Sequence, residues 1–218
     1  NRRNCFAYVK RSIEITYLGI LGGSMKKSFI LFVLFILVSF SIFAERIVGT
    51  DKLEYNQKTQ LYHYGNEKDP FTGIEKAYYE DKSLKYELPY KNGKFEGKAI
   101  EYYPSGKIES ESFYVNGKLN GKSIEYYKNG NLKSDGNYKD GKRDGLTKTY
   151  FEDGTIRSEI YYKNGELDGL AKEYYGNGQV FIQENYKNGE LDGESLNFYK
   201  DGKLKGRELY KNGKLIKN

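Results

Sequence analysis

One glycine returns at an unvarying interval of 24 residues: Gly73, Gly97, Gly121, Gly145, Gly169 and Gly193, with no insertion or deletion between them. A fixed period of this length constrains the fold more than composition does, because each repeat must bury its apolar surface against the next. Five and six residues after each glycine stand two aromatics: Tyr78-Tyr79, Tyr102-Tyr103, Tyr126-Tyr127, Tyr150-Phe151, Tyr174-Tyr175 and Phe198-Tyr199. A turn glycine follows in five units, and the first has Lys82 in its place. An aliphatic residue and then a tyrosine come next. Each unit ends in Asn-Gly or, once, Asp140-Gly141.

Asn-Gly and Asp-Gly favour the type I′ hairpin turn, in which both central residues need positive φ. The stretches between turns run seven to nine residues and alternate apolar with polar positions. Each unit therefore reads as two antiparallel strands. The whole is expected to be all-β, a single-layer antiparallel β-meander of six β-hairpin units with about a dozen strands. Neighbouring residues on a strand face opposite sides, so the paired aromatics point one to each side of the sheet.

Equal offsets place the first aromatics (Tyr78, Tyr102, Tyr126, Tyr150, Tyr174, Phe198) in a row. Such a row can protect the ladder by cross-strand packing, at about 0.2–1 kcal/mol per pair, or form a continuous binding face; the two readings are compatible. Gly97, Gly121, Gly145, Gly169 and Gly193 read as turn or structural positions. Positions that change between units, such as Lys76, Ile100, Ile124, Lys148, Lys172 and Leu196, are where specificity for a partner would lie.

The sequence divides into four parts. Residues 1–24 read as translated upstream sequence, since Leu21-Gly22-Gly23 can be encoded by a ribosome-binding sequence just before Met25, the only methionine. Residues 25–44 have the layout of a signal peptide: Lys26-Lys27, an apolar run from Phe29 to Val38, and Ser39-Phe40-Ser41-Ile42-Phe43-Ala44, in which Ile42 is larger than a cleavage site favours. An uncleaved anchor is the rival reading, although the run is short for a span. Residues 45–72 fall outside the period and read as cap strands. Residues 73–218 hold the six units. On this reading the chain is exported to the periplasm, cell surface or medium.

The formal charge of +6 invites a nucleic-acid role. However, six of the 36 basic residues and one of the 30 acidic ones precede Glu45, which leaves 30 against 29. Alternating charges of near-zero sum make a solvated surface and not a phosphate-binding stripe. The same balance weighs against an anionic membrane as the main partner. The single cysteine, Cys5, lies ahead of the expected cleavage point, so disulfides and thiol chemistry are excluded from the rest. His63 is the only histidine and reads as structural. Asp144, Asp168 and Asp192 precede unit glycines, but Glu96 and Asn120 share their column, which favours turn chemistry over calcium. No catalytic constellation, cofactor motif or metal site is expected, and the chain reads as a non-enzyme.

Residues 121–141, Gly-Lys-Ser-Ile-Glu-Tyr-Tyr-Lys-Asn-Gly-Asn-Leu-Lys-Ser-Asp-Gly-Asn-Tyr-Lys-Asp-Gly, resemble the bacterial MORN repeat variant, also found in proteins named as YwqK-family antitoxins. The resemblance covers residues 73–217 and implies a β-hairpin repeat sheet. It further implies a protein-interaction or membrane-apposition module without catalytic residues. A toxin-neutralising or immunity-like role and a surface or host-interaction role are both compatible with it. A membrane-surface module or a structural envelope protein is the alternative.

Overall fold

The computed structural model describes residues 46–217. The expected signal peptide and upstream segment, residues 1–44, lie outside the described residues.

Ahead of the repeats stand β1 (Ile47–Val48) and a hairpin of β2 (Leu53–Asn56) and β3 (Leu61–Tyr64). The repeats then supply β4 (Gly73–Tyr78), β5 (Leu84–Lys91), β6 (Lys94–Phe95), β7 (Gly97–Tyr102), β8 (Ile108–Val115) and β9 (Lys118–Tyr126). They continue through β10 (Leu132–Lys139), β11 (Lys142–Arg143), β12 (Gly145–Tyr150), β13 (Ile156–Lys163), β14 (Glu166–Tyr174) and β15 (Val180–Lys187). The last strands are β16 (Glu190–Phe198), β17 (Leu204–Lys211) and β18 (Lys214–Lys217). β1 and β4 to β18 make one 16-stranded sheet, in which every pairing from β4 onward is antiparallel, between successive strands or, past the short β6 and β11, between β5 and β7 and between β10 and β12. The all-β repeat meander expected from the period is the fold observed.

Two features depart from a pure antiparallel meander. β1 pairs parallel with β4, Ile47 opposite Ile74 and Val48 opposite Glu75. The long connection through β2 and β3 permits this, since a parallel return needs a crossover that a tight turn cannot supply. β2 and β3 form a separate two-stranded sheet.

Two kinds of turn alternate. At Asn92-Gly93 and its equivalents both residues have positive φ, 50° and 80° at Asn116 and Gly117, as the type I′ hairpin requires. At the other end a three-residue loop ends in a left-handed residue, Gly106 at φ 80°. Lys82 adopts that conformation at φ 67° without being glycine.

The unit glycines serve a third purpose. Between Ser112–Ser123 and Tyr114–Leu119 one residue of β8 opposes three of β9, and the middle one is Gly121. The chain bulges there, with φ of 115° at Gly121 and 118° at Gly169. A Cβ at Gly169 would lie 3.1 Å from the Tyr161 Cβ.

The best-buried cluster lies where the hairpin of β2 and β3 meets the first unit. Phe71 is 1% exposed, and Tyr90 and Val48 are buried beside it, with Leu53, Tyr62, Tyr64 and Leu88 around them. From here a spine runs along the sheet: Phe71–Tyr90, Tyr90–Phe95 and Phe95–Tyr114 centroids lie 5.6, 4.7 and 5.3 Å apart. Aromatic pairs of this kind contribute about 0.5–1.5 kcal/mol beyond area burial. In the fourth unit Arg143 takes the spine position and lays its guanidinium over Tyr162, 5.3 Å from the ring centre.

Candidate functional site

The sheet has two differently furnished faces. Register settles which residues share each one, because cross-strand partners lie on the same side.

One face carries the first aromatic of each unit. Tyr78 is 58% exposed, whereas Tyr102, Tyr126, Tyr150, Tyr174 and Phe198 are half-buried. The Tyr174 hydroxyl donates to the Glu159 carboxylate at 2.8 Å, and Tyr102 reaches Glu87 at 3.3 Å. Burial, with Glu159 adding to it, pushes the Tyr174 phenol up to about 12. Glu87 and Glu159 also hold cations across the strand pair, Lys76 and, at 2.7 Å, Lys148, and on the same face Lys122 binds Asp135 at 3.0 Å. The Lys148 hydrogen bond, then that of Tyr174, holds the Glu159 carboxyl below the usual range.

Among the positions expected to vary, Lys76 and Lys148 are thus tied into ion pairs. Lys172 lines a groove of about 200 Å³ with Leu146, Glu159, Tyr161 and Leu170. Phe113 and Tyr161, 44% and 45% exposed, stand on this same face. Sequence reading passed over both. The signal was present, since their column holds Pro89, Phe113, Asn137, Tyr161, Asn185 and Leu209 and varies more than the tyrosine row.

On the opposite face the second aromatics do structural work that a strand-by-strand reading does not reveal. Tyr79, Tyr103, Tyr127 and Tyr175 each donate a hydroxyl hydrogen bond of 2.6–2.8 Å to the carbonyl of the next unit's first aromatic, 23 residues on. Phe151 has no hydroxyl and interrupts the series. Glu75, 7% exposed, accepts from Tyr90 at 2.8 Å and Tyr86 at 3.2 Å. Burial, with Glu75 adding to it, pushes the Tyr86 phenol up to about 12 and raises Tyr90 further.

The carboxylates ahead of the unit glycines also have a structural task. Glu96, Asp144, Asp168 and Asp192 accept from the backbone N–H of Asn116, Asn164, Asn188 and Asn212, the turn residue of the following hairpin. Turn capping thus occupies this column. Among the described residues no group of His, Cys, Asp and Glu converges to hold a metal ion. His63 Nδ1 lies 3.3 Å from the Glu67 carbonyl oxygen, and its buried Nε2 has no hydrogen-bond partner.

No curated protein matches the chain. The MORN repeat variant profile matches six times, at residues 71–92, 95–116, 119–140, 143–164, 167–188 and 191–212. Each match opens on the spine residue, Phe71, Phe95, Leu119, Arg143, Leu167 or Leu191, and closes on the first residue of the type I′ turn. With most of its length in these six repeats, the chain belongs to the MORN repeat variant family, whose repeats are protein- or membrane-binding scaffolds.

Proposed function

We propose that the chain is an exported, non-enzymatic scaffold that binds another protein through the face carrying the first aromatic row. One observation carries this reading. Phe113 and Tyr161 stand exposed, with Leu146 and Leu170 half-buried, on one sheet face among the described residues, at positions that change between units while the backbone repeats. Large aromatics exposed beside polar and paired charged groups are the composition of protein-binding surfaces, where such anchors supply most of the affinity. The export half of the proposal rests on the segment from Met25 to Ala44. Neutralisation of a toxin outside the cytoplasm, or attachment to a surface or host protein, is the biological setting it fits.

The test is capture of envelope and culture-supernatant proteins on the purified chain, with cross-linking to locate the contact. A single partner cross-linked to the Phe113–Tyr161 face, and lost from a Phe113→Ala/Tyr161→Ala variant, is the expected result. Cross-links confined to the other face, or capture that the double variant leaves unchanged, would refute it.

A further inference from the structure

The face opposite the first aromatic row holds an open groove of about 390 Å³ where the second and third units meet. Its floor is made of small side chains from successive strands, Ala99, Ser112 and Ser123, with the two serine hydroxyls 2.8 Å apart. Along one side stand Glu101, which accepts from Ser110 at 3.1 Å, and Glu125, which holds Lys133 at 2.9 Å. Tyr114 lines the groove as well. The floor continues past it, because Gly136 pairs with Ser123 and lies against Thr147 on the next strand. Thr147 is buried, and its Oγ1, directed at the space that a Gly136 side chain would fill, has no hydrogen-bond partner. The polar floor therefore spans the second and third units, with Leu88 at one end and Ile160, the strand partner of Thr147, beyond the other.

Its chemistry selects among extended ligands. The backbone groups of the interior strands are spent on their neighbours, so a peptide lying across them finds no free ladder to join. A chain of hydroxyls, each able to donate and accept, matches a floor of serines flanked by carboxylates. Tyr114 offers the apolar flank against which the C–H face of a sugar packs. Two antiparallel strands advance about 9.4–9.8 Å, close to the length of one disaccharide in an extended β-linked glycan. Two successive disaccharides would thus meet the small residues Ala99 and Ser112 of the second unit and Ser123 and Gly136 of the third. Glu101, Glu109 and Glu125 line the groove against a single cation, Lys133, which disfavours a polyanion.

We propose that this trough binds an uncharged, extended β-linked glycan, on the face opposite to the protein-binding surface and independently of it. The experiment is calorimetric titration of the purified full chain with chitohexaose, with cellohexaose and with a sulfated hexasaccharide. Saturable binding of a neutral hexasaccharide is expected, weakened at least tenfold by Glu125→Gln and abolished by Ser123→Phe, which fills the floor. Tyr161→Ala on the other face should leave it intact, and matched thermal melts will show that the variants are folded. Failure of both neutral sugars to bind, preference for the sulfated one, or full binding by Ser123→Phe would overturn the proposal.

Discussion

The Tyr127 hydroxyl donates a 2.7 Å hydrogen bond to the carbonyl oxygen of Tyr150, tying the third unit to the fourth. The accepting carbonyl sits at a register shift, between the Thr149–Ser158 and Tyr150–Ile156 pairs, where the strand ladder is irregular. Phe151 breaks the same series one unit later. Phe151→Tyr should restore it and stabilise the fold by about 0.5–1.5 kcal/mol, the net worth of an ordinary hydrogen bond. Tyr127→Phe should cost a similar amount. Urea denaturation midpoints at constant slope will measure both; equal midpoints for all three proteins would remove the hydroxyl series from the account of stability.

The unit glycines differ sharply from other strand glycines in what a methyl group would do. Gly169 combines φ 118° with a Cβ position 3.1 Å from the Tyr161 Cβ, whereas Gly206 has open space around it. Gly169→Ala is expected to destabilise by more than about 1 kcal/mol, since the new residue must hold a backbone conformation it rarely adopts. Gly206→Ala should change stability by less than about 0.5 kcal/mol. Thermal denaturation of the pair decides the point, and a larger loss at Gly206 would be incompatible with the bulge geometry.

Lys82 holds a left-handed conformation in the position that five other units give to glycine. For an L-residue this costs about 1–2 kcal/mol, partly offset by the greater freedom of glycine in the unfolded chain. Lys82→Gly should therefore raise stability, by somewhat under 1 kcal/mol. Hydrogen exchange at the Tyr79–Ser83 turn will read the effect locally, as slower opening in the variant.

Alkaline pH should loosen the fold before it reaches the buried phenols. Tyr86 and Tyr174 are raised to about 12, against about 10 for a tyrosine in the unfolded chain. A raised folded-state value means that stability is full below about pH 10 and is lost as pH rises toward 12. Phenolate absorbance should thus include a fraction, from Tyr86 and Tyr174, that appears only as far-ultraviolet dichroism is lost. A single reversible step near 10 for every tyrosine would contradict the buried Tyr–Glu pairs.

The period made the strands, both turn types and the two-sided placement of the aromatic pairs legible, because each rests on a local rule: alternation, positive φ at Asn-Gly, a left-handed glycine. What stayed hidden needs knowledge of register. That Tyr103 meets the carbonyl of Tyr126, or that Asp144 caps the Asn164 amide, follows from how far one unit is displaced against the next, which spacing alone leaves free. The parallel seat of Ile47–Val48 beside β4 was likewise illegible, since two residues carry too little pattern to name a partner. For the candidate face, the conspicuous tyrosine row drew the eye. Its rings prove largely half-buried, while Phe113 and Tyr161 in a less regular column are the more exposed.

The tyrosine hydroxyl bonds that join units reach 23 residues along the chain, as in Tyr79 to Tyr102 and Tyr127 to Tyr150, so each unit answers only to its immediate neighbours. Inheritance can act directly on such a fold. Unequal crossing-over that copies or removes 24 codons in phase inserts or deletes one complete set of donors and acceptors and leaves every other junction as it was. A single-codon slip inside a strand instead turns every later side chain of that strand to the wrong side. The length of the array is thus an evolvable quantity, free to follow the size of whatever it holds, while its phase is not.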